Sequence, residues 1–155
     1  MDGDGRGGHP GGSAALSGAV VDTSALVLLF VPERGADWVR RQWSEFDVHV
    51  APDWVLAESA SALLKKVRRG ELAPAEGREA IAILAGNPPV RLVATRDLVP
   101  AAYEFAVSAH CSLYDAVYAT LALQRGDVLL TADAAFARAV ATAGVGPEVL
   151  SPPVR

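Results

Sequence analysis

Short runs of apolar residues alternate with longer amphipathic segments from Ala19 onward. The runs are typical of strands buried on both faces of a sheet. We predict four strands, at residues 19–21, 48–50, 90–93 and 128–130. Helical spacing of apolar residues predicts a short helix after Thr23 and further helices at residues 35–46, 52–69, 74–85, 98–109, 113–124 and 134–143. This alternation predicts an α/β fold with a mostly parallel sheet covered on both faces.

Residues 1–18 differ in composition from the rest of the chain, because they are rich in glycine and poor in large apolar side chains. Such a segment buries too little apolar surface to offset the entropy lost on ordering. We therefore predict a flexible Gly-rich leader over residues 1–18 and one compact domain over residues 19–155. A chain of 155 residues, 51% of them hydrophobic, can form such a core without disulfides or a structural metal.

The number of cysteines and the hydropathy of the sequence indicate the cellular compartment of the protein. Cys111 is the only cysteine, so no disulfide can form within the chain and a reducing environment is expected. The longest apolar runs, such as residues 25–31, are shorter than the roughly 20 residues that a membrane span needs. No basic start followed by a long apolar stretch marks a secretory signal. We expect a soluble, cytoplasmic protein without membrane association.

Four carboxylates stand at positions that suggest a site. Asp22 ends the first predicted strand and Asp133 follows the fourth, and ligands of α/β folds bind beyond the carboxyl ends of the strands. Glu58 lies within a long helix, where its neighbours three and four residues away are mostly apolar or small, unlike those of a surface Glu. Asp115 follows Ser112 by three residues.

Each of these carboxylates also has a purely structural interpretation. Asp22 and Asp133 suit the N-cap of a helix that follows a strand, and Ser112 with Asp115 matches a capping box. Glu58 could lie on a solvated helix face. Both interpretations stay open for each residue alone. The set of four favours a metal site, because Mg²⁺ and Mn²⁺ prefer oxygen ligands and can activate water beside a phosphodiester.

The segments that carry the four acids resemble, in this order, the signature segments of PIN-domain nucleases. They are VVDTSAL at residues 20–26, LAE at 56–58, SLYDAVY at 112–118 and LTAD at 130–133. Within that superfamily the chain most resembles VapC-type toxins of bacterial toxin–antitoxin modules, over about residues 19–150. The resemblance implies a compact three-layer α/β/α fold and an endoribonuclease that depends on Mg²⁺ or Mn²⁺.

The resemblance also implies a role for each acid. Asp22 and Asp115 match the principal metal ligands of the family. Glu58 matches a further ligand or the base for the attacking water, and Asp133 matches a more variable fourth acid. No acidic position is replaced in this chain, so the resemblance implies an active enzyme in which all four acids are catalytic.

Small hydroxyl residues beside the acids are expected to orient them. Thr23 and Ser24 would donate hydrogen bonds to Asp22, and Thr131 would do so near Asp133.

Partners follow from the same resemblance: an RNA substrate, a cognate antitoxin and a second copy of the chain in a homodimer. Trp38, Trp43 and the helix predicted at residues 74–85 are candidate contacts for these protein partners.

The net charge of -4 is explained by the site itself, since the remaining 14 acids match the 14 basic residues in number. Half of the basic residues lie between Arg34 and Arg69. Lys65 and Arg69 share a helical stripe with Glu58, so they could guide a phosphate backbone toward the acids. The same cations would also suit the negative end of the helix dipole, and both interpretations stay open.

Two other classes of function remain possible on sequence grounds. A PIN-fold nuclease could act on DNA, because no motif here separates RNA from DNA. A non-catalytic binding module could use the carboxylates only as helix caps, which the intact set of four disfavours. Nucleotide cofactors are not expected, because no Gly-rich phosphate-binding loop follows a strand.

Overall fold

The computed structural model of the protein describes residues 17–144 and 146–153. In the described residues the strands are β1 (Gly18–Val21), β2 (Val48–Pro52), β3 (Arg91–Val93), β4 (Val128–Leu130) and β5 (Val149–Leu150). The helices are α1 (Thr23–Val27), α2 (Ala36–Trp43), α3 (Val55–Arg68), α4 (Pro74–Gly86), α5 (Thr95–Ala109), α6 (Leu113–Arg125) and α7 (Ala134–Thr142).

The strands form one parallel sheet in the order β3-β2-β1-β4-β5. Ala19, Val20 and Val21 of the central strand β1 have no exposed surface. Since successive side chains of a strand point to opposite faces, helices must cover this strand on both sides. The predicted α/β fold with a parallel sheet is confirmed.

Helix α6 is the most buried helix of the described fold. It packs against β1, β2 and β4, and α5 packs along it. As a result its residues 116–122 are all buried. The helix ends at Arg125, because Gly126 follows with a φ of 69°, in the left-handed region that glycine adopts without strain. The first turn of α6, which carries Asp115, is thereby held beside the centre of the sheet.

The strand order places a crevice at the centre of the sheet. The chain proceeds outward from β1 to β2 and β3, and then returns to place β4 on the other side of β1. The order of the strands therefore reverses between β1 and β4. In open α/β sheets, ligands bind at the carboxyl ends of the strands that flank such a reversal. Asp22 follows β1 at this point, and Thr131 and Asp133 follow β4.

Two helix starts and one additional strand differ from the prediction, because contacts distant in sequence set the limits of these elements. Helix α3 starts at Val55 rather than at Pro52, which is the last residue of β2 and pairs with Val93 of β3. Helix α5 starts at Thr95 rather than at residue 98, and the Asp53 carboxylate accepts a hydrogen bond from the Thr95 backbone N–H. Strand β5 was not predicted; it has two residues and is recognisable only by its pairing with β4.

The start of the domain lies slightly earlier than predicted. Gly18 belongs to β1 and pairs with Val48, and the carbonyl of Ser17 accepts hydrogen bonds from Asp47 and Val48. A Cβ at position 18 would lie 2.3 Å from the carboxylate of Asp127, so that side chain would have to move if residue 18 were not glycine. Residues 17 and 18 therefore belong to the domain, and the rest of the predicted leader, residues 1–16, lies outside the described residues.

None of the helices in the described part of the chain is long and apolar enough to cross a membrane.

Candidate active site

All four predicted site carboxylates line one open cavity of about 480 Å³ at the reversal of strand order. Asp22 follows β1, Glu58 lies in α3, Asp115 lies in α6 and Asp133 follows β4. Residues distant in the chain are thus brought together at the carboxyl ends of the central strands. The fold thus brings the four acids to the wall of one cavity, which their spacing in the sequence alone could not establish.

Asp22 is the most enclosed of the four acids, with 5% of its surface exposed. It is the N-cap of α1, and its Oδ1 accepts hydrogen bonds from the Ala25 backbone N–H at 2.9 Å and from the Ser24 hydroxyl at 2.7 Å. Its Oδ2 accepts one from the Thr131 hydroxyl. The capping interpretation is therefore correct for Asp22, and it coexists with a position in the cavity wall.

Burial raises the pKa of Asp22 from 3.8 to about 6. The three hydrogen bonds favour the ionised form and hold this rise down, whereas the charge of Asp133 adds to it. Near neutral pH this carboxylate is still ionised, but it lies in a place where a negative charge is poorly solvated. A cation in the cavity would relieve that cost.

Asp133 caps α7 with a single oxygen. Its Oδ1 accepts from the backbone N–H groups of Ala135 and Phe136, at 2.8 and 3.0 Å. Its own N–H donates to the hydroxyl of Thr131, which in turn donates to Asp22. Thr131 therefore connects the two acids, but its hydroxyl, which was expected to orient Asp133, donates to Asp22 rather than to the Asp133 carboxylate.

Glu58 accepts two hydroxyl hydrogen bonds on one oxygen. The hydroxyls of Thr23 and Tyr118 both donate to its Oε2, each at 2.6 Å. Burial, followed by the contact with Glu58, raises the pKa of Tyr118 far above its ordinary range, so the phenol stays a donor. The expectation that Thr23 orients Asp22 is wrong: Thr23 orients Glu58, and Ser24 alone of this pair bonds to Asp22.

Asp115 lies half-buried in the first turn of α6. Its backbone N–H donates to the Ser112 hydroxyl at 3.0 Å, so the Ser112 half of the predicted capping box is present. Burial raises the pKa of the Asp115 carboxyl, and the charges of Asp133 and Glu58 raise it further. The charges of the other acids therefore act on the pKa of Asp115 across the cavity.

The donor set suits a hard divalent cation. Carboxylate oxygens are the ligands that Mg²⁺ and Mn²⁺ prefer, and the repulsion between the acids is what a cation would offset. As the side chains are placed in the described residues, no three Asp, Glu, His or Cys side chains stand close enough to hold one ion. Binding by three of the acids would therefore need side-chain rotation toward the cation.

Two basic side chains line the same cavity, Arg34 before α2 and Lys66 in α3. Lys66 forms ion pairs with Glu33 and Glu71. The predicted basic track of Lys65 and Arg69 is not part of the cavity wall; both residues are exposed, Lys65 in the last turn of α3 and Arg69 at its C-cap. The cations that line the cavity are instead Lys66, which is next to Lys65 in sequence, and Arg34, which is distant from both.

Sequence reasoning missed Tyr118 as a site residue. The available signal was helical spacing, because Tyr118 follows Asp115 by three residues and so lies on the same face of α6. Lys66 carried a similar signal, since it follows Glu58 by eight residues, close to two helical turns.

Trp38 and Trp43, predicted as partner contacts, are half-buried and pack against the hydrophobic core. Trp43 stacks on His49, with the ring centroids 3.7 Å apart. Both side chains keep exposed surface, and their role as partner contacts stays a prediction.

Comparison with known proteins agrees with this architecture. A parallel α/β sheet with four acids around its central crevice defines the class, and the model of the family described as "PIN domain" matches residues 19–141. The chain belongs to the PIN-domain family. A curated relative, Ribonuclease VapC3 of Pyrobaculum aerophilum, is 30% identical over 115 residues, which cover 74% of this chain and 88% of the relative. The resemblance to PIN-domain proteins of the VapC type is confirmed.

Solved structures support the same fold. Mycobacterium tuberculosis VapC20, described as a toxin that cleaves the sarcin-ricin loop, has a TM-score of 0.61 and 24% identity, covering 78% of this chain and 94% of that one. PAE2754 from Pyrobaculum aerophilum has a TM-score of 0.59 and 23% identity, covering 79% of both chains. At these identities the likeness concerns the fold.

Proposed function

We propose that this protein is a metal-dependent endoribonuclease, the toxin of a bacterial type II toxin–antitoxin module that acts in the cytoplasm. The observation that carries the proposal is the convergence of Asp22, Glu58, Asp115 and Asp133 on one cavity of a PIN-domain fold. The name of the curated relative, a ribonuclease of the VapC type, supports RNA as the substrate.

Asp22 and Asp115 are the principal ligands of Mg²⁺ or Mn²⁺ in this proposal, and Asp133 completes the set. Bound there, a divalent cation would stabilise charge on the phosphate and lower the pKa of a water molecule. Ser24 and Thr131 fix the orientation of Asp22 through their hydrogen bonds.

Glu58 accepts the proton of the attacking water. Both hydroxyl donors bond to Oε2, which leaves Oε1 clear of them. Tyr118 and Thr23 therefore hold the carboxylate without using the second oxygen. Attack by water on phosphorus leaves a 5′ phosphate and a 3′ hydroxyl, whereas attack by the ribose 2′-hydroxyl would leave a cyclic phosphate.

A cleavage assay with a matched variant tests the proposal. Purified chain is incubated with RNA, or with DNA of the same sequence, in Mg²⁺ or in excess EDTA. Asp115→Asn should lower the cleavage rate by more than about 100-fold, beyond the loss expected for a residue that only supports a ligand. The control Asp97→Asn alters an exposed acid of α5 and should cleave like the wild type.

The chemistry of the ends decides the mechanism. We expect 5′-phosphate and 3′-hydroxyl termini on the RNA and no cleavage in EDTA. Cyclic-phosphate termini, or undiminished cleavage in EDTA, would contradict the metal mechanism. Cleavage of DNA in preference to RNA would contradict the ribonuclease assignment.

The protein partners in this proposal are a small antitoxin and a second copy of the chain. An antitoxin that places a basic side chain among the four acids would block the cation. Expression of the chain alone should arrest growth, co-expression of the adjacent small gene should restore it, and sedimentation should give a dimer. A harmless, monomeric chain would contradict this part of the proposal.

A further inference from the structure

An aromatic row runs from the cavity wall to the protein surface. It consists of Tyr118, which lines the cavity, Trp54 at the N-cap of α3, and Tyr114 in the first turn of α6. The rings of Trp54 and Tyr114 are stacked, with centroids 4.7 Å apart and planes 19° apart. The Trp54 and Tyr118 centroids are 6.1 Å apart.

Helix geometry fixes where this row lies relative to the acids. Trp54 precedes Glu58 by four residues, and Tyr114 precedes Tyr118 by four, so each aromatic lies one turn from a member of the hydrogen-bonded pair Glu58–Tyr118. The stacked pair is thus about 6 Å along the helix axes from that hydrogen bond.

Along α3 and its N-cap, Glu58 lies between two side chains of different chemistry, Trp54 and Lys66. Lys66 follows Glu58 by eight residues, about 12 Å along α3 in the direction opposite to Trp54. The acids therefore lie between a cationic end, which suits a phosphate backbone, and an aromatic end, which suits a planar base.

Tyr114 presents one face of its ring to solvent. Its side chain is 62% exposed even though one face of the ring lies against Trp54, so most of the other face is open to solvent. Trp54 is half-buried and packs against the hydrophobic core, which makes the support rigid. A rigid aromatic with one open face binds a base by stacking, and stacking requires that the base is unpaired.

We propose that Tyr114, supported by Trp54, stacks an unpaired base of the substrate next to the phosphodiester bond that is cleaved. The inference rests on the proposed nuclease function and adds that the segment of RNA in the site is single-stranded.

Binding measurements on an inactive background test the proposal. The background is Asp22→Asn, which keeps the RNA intact, and the probe is a short fluorescein-labelled RNA of mixed sequence, free or annealed to its complement. In this background Tyr114→Ala should weaken binding of the single strand by about 5- to 150-fold, the range for loss of one stacked base. Tyr114→Phe keeps the ring and should bind within about twofold of the background.

Tyr103 provides a matched control. It is a tyrosine of similar exposure, 60%, and lies on α5 outside the cavity wall. Tyr103→Ala should leave binding unchanged, and circular dichroism should show every variant folded, since both tyrosines are mostly exposed.

The possible outcomes distinguish failure of the stacking inference from failure of the proposed nuclease function. Three results would overturn the stacking inference without affecting wild-type cleavage. They are equal binding by Tyr114→Ala and its parent, loss of binding in Tyr114→Phe, and equal affinity for single strand and duplex. Weakened association with a protein partner and unchanged RNA binding would likewise overturn it. A wild-type chain that neither binds nor cleaves RNA would overturn both.

Discussion

Replacing Asp22 with Asn should make the metal-free protein more stable near neutral pH. The side chain is 5% exposed, and burial holds its pKa at about 6 instead of 3.8. Asn has nearly the same shape and no charge. Its amide oxygen can accept from Ser24 and Ala25, and its amide nitrogen can donate to the Thr131 hydroxyl. The substitution therefore removes the buried charge and keeps the helix cap.

The magnitude follows from the pKa. At 1.36 kcal/mol per pH unit of pKa, a rise from 3.8 to about 6 corresponds to about 3 kcal/mol. Because the pKa is higher in the folded state, this cost is absent below pH 3.8 and complete above about pH 6. We expect Asp22→Asn to raise the free energy of unfolding by up to about 3 kcal/mol at pH 7.5, and the gain to vanish near pH 4.

Urea unfolding in EDTA, at a series of pH values, measures this difference. Asp37→Asn is the control: its carboxylate is 89% exposed and pairs with Arg40, so the change should stay below about 0.5 kcal/mol at every pH. Added Mg²⁺ should stabilise the wild type more than Asp22→Asn, because only a ligand bound to the native state shifts the equilibrium.

Two results would refute this reasoning. If Asp22→Asn is less stable than the wild type at pH 7.5 in EDTA, its charge is compensated in the fold and burial does not control its pKa. If the gain persists unchanged at pH 4, the effect comes from packing or capping and not from ionisation. An equal response of both proteins to Mg²⁺ would remove Asp22 from the metal site.

Three further substitutions test separate contacts. Tyr118→Phe removes one of the two hydroxyls on Glu58 and should lower the cleavage rate or the apparent Mg²⁺ affinity by about 10- to 100-fold; an unchanged rate together with an unchanged Mg²⁺ titration would contradict its positioning role. Ser112→Ala should lower the free energy of unfolding by about 0.5–2 kcal/mol in urea, since its hydroxyl caps the Asp115 N–H; equal stability would show that the cap is dispensable. Arg34→Gln should weaken RNA binding and reduce the slope against log salt by about 1; an unchanged slope would exclude a phosphate contact.

Much of the fold was predictable, because its signals are local. The apolar runs that became β1 and β4 lie on covered strands, where polar residues are disfavoured on either face. The run that became β2 was recognisable although it includes the half-buried His49. The acids of the site were recognisable for the opposite reason: Asp22 and Asp133 interrupt apolar sequence where strands end. A short segment such as β5 has no period to detect, and only its partner strand defines it.

The detailed partners of the acids were not predictable, because they depend on rotation about helix axes. Thr23 and Ser24 are adjacent in α1, so their side chains point about 100° apart, and sequence cannot tell which one meets Glu58. In the structure, the Thr23 hydroxyl donates to Glu58 and the Ser24 hydroxyl donates to Asp22. The same uncertainty of one position separates Lys65 from Lys66 in α3.

The choice between a cap and a metal ligand, which the sequence left open, is not a choice between exclusive roles. A carboxylate has two oxygens and about four lone pairs. Asp133 satisfies two backbone donors with Oδ1 alone, and Asp22 accepts three donors in all. Each acid thus retains lone pairs for a cation while its remaining contacts fix its position. A cap at the start of a helix after a central strand therefore holds an acid at the crevice and leaves oxygen lone pairs free, and in the described part of the chain the two helix starts that use Asp as a cap are those that flank the reversal of strand order.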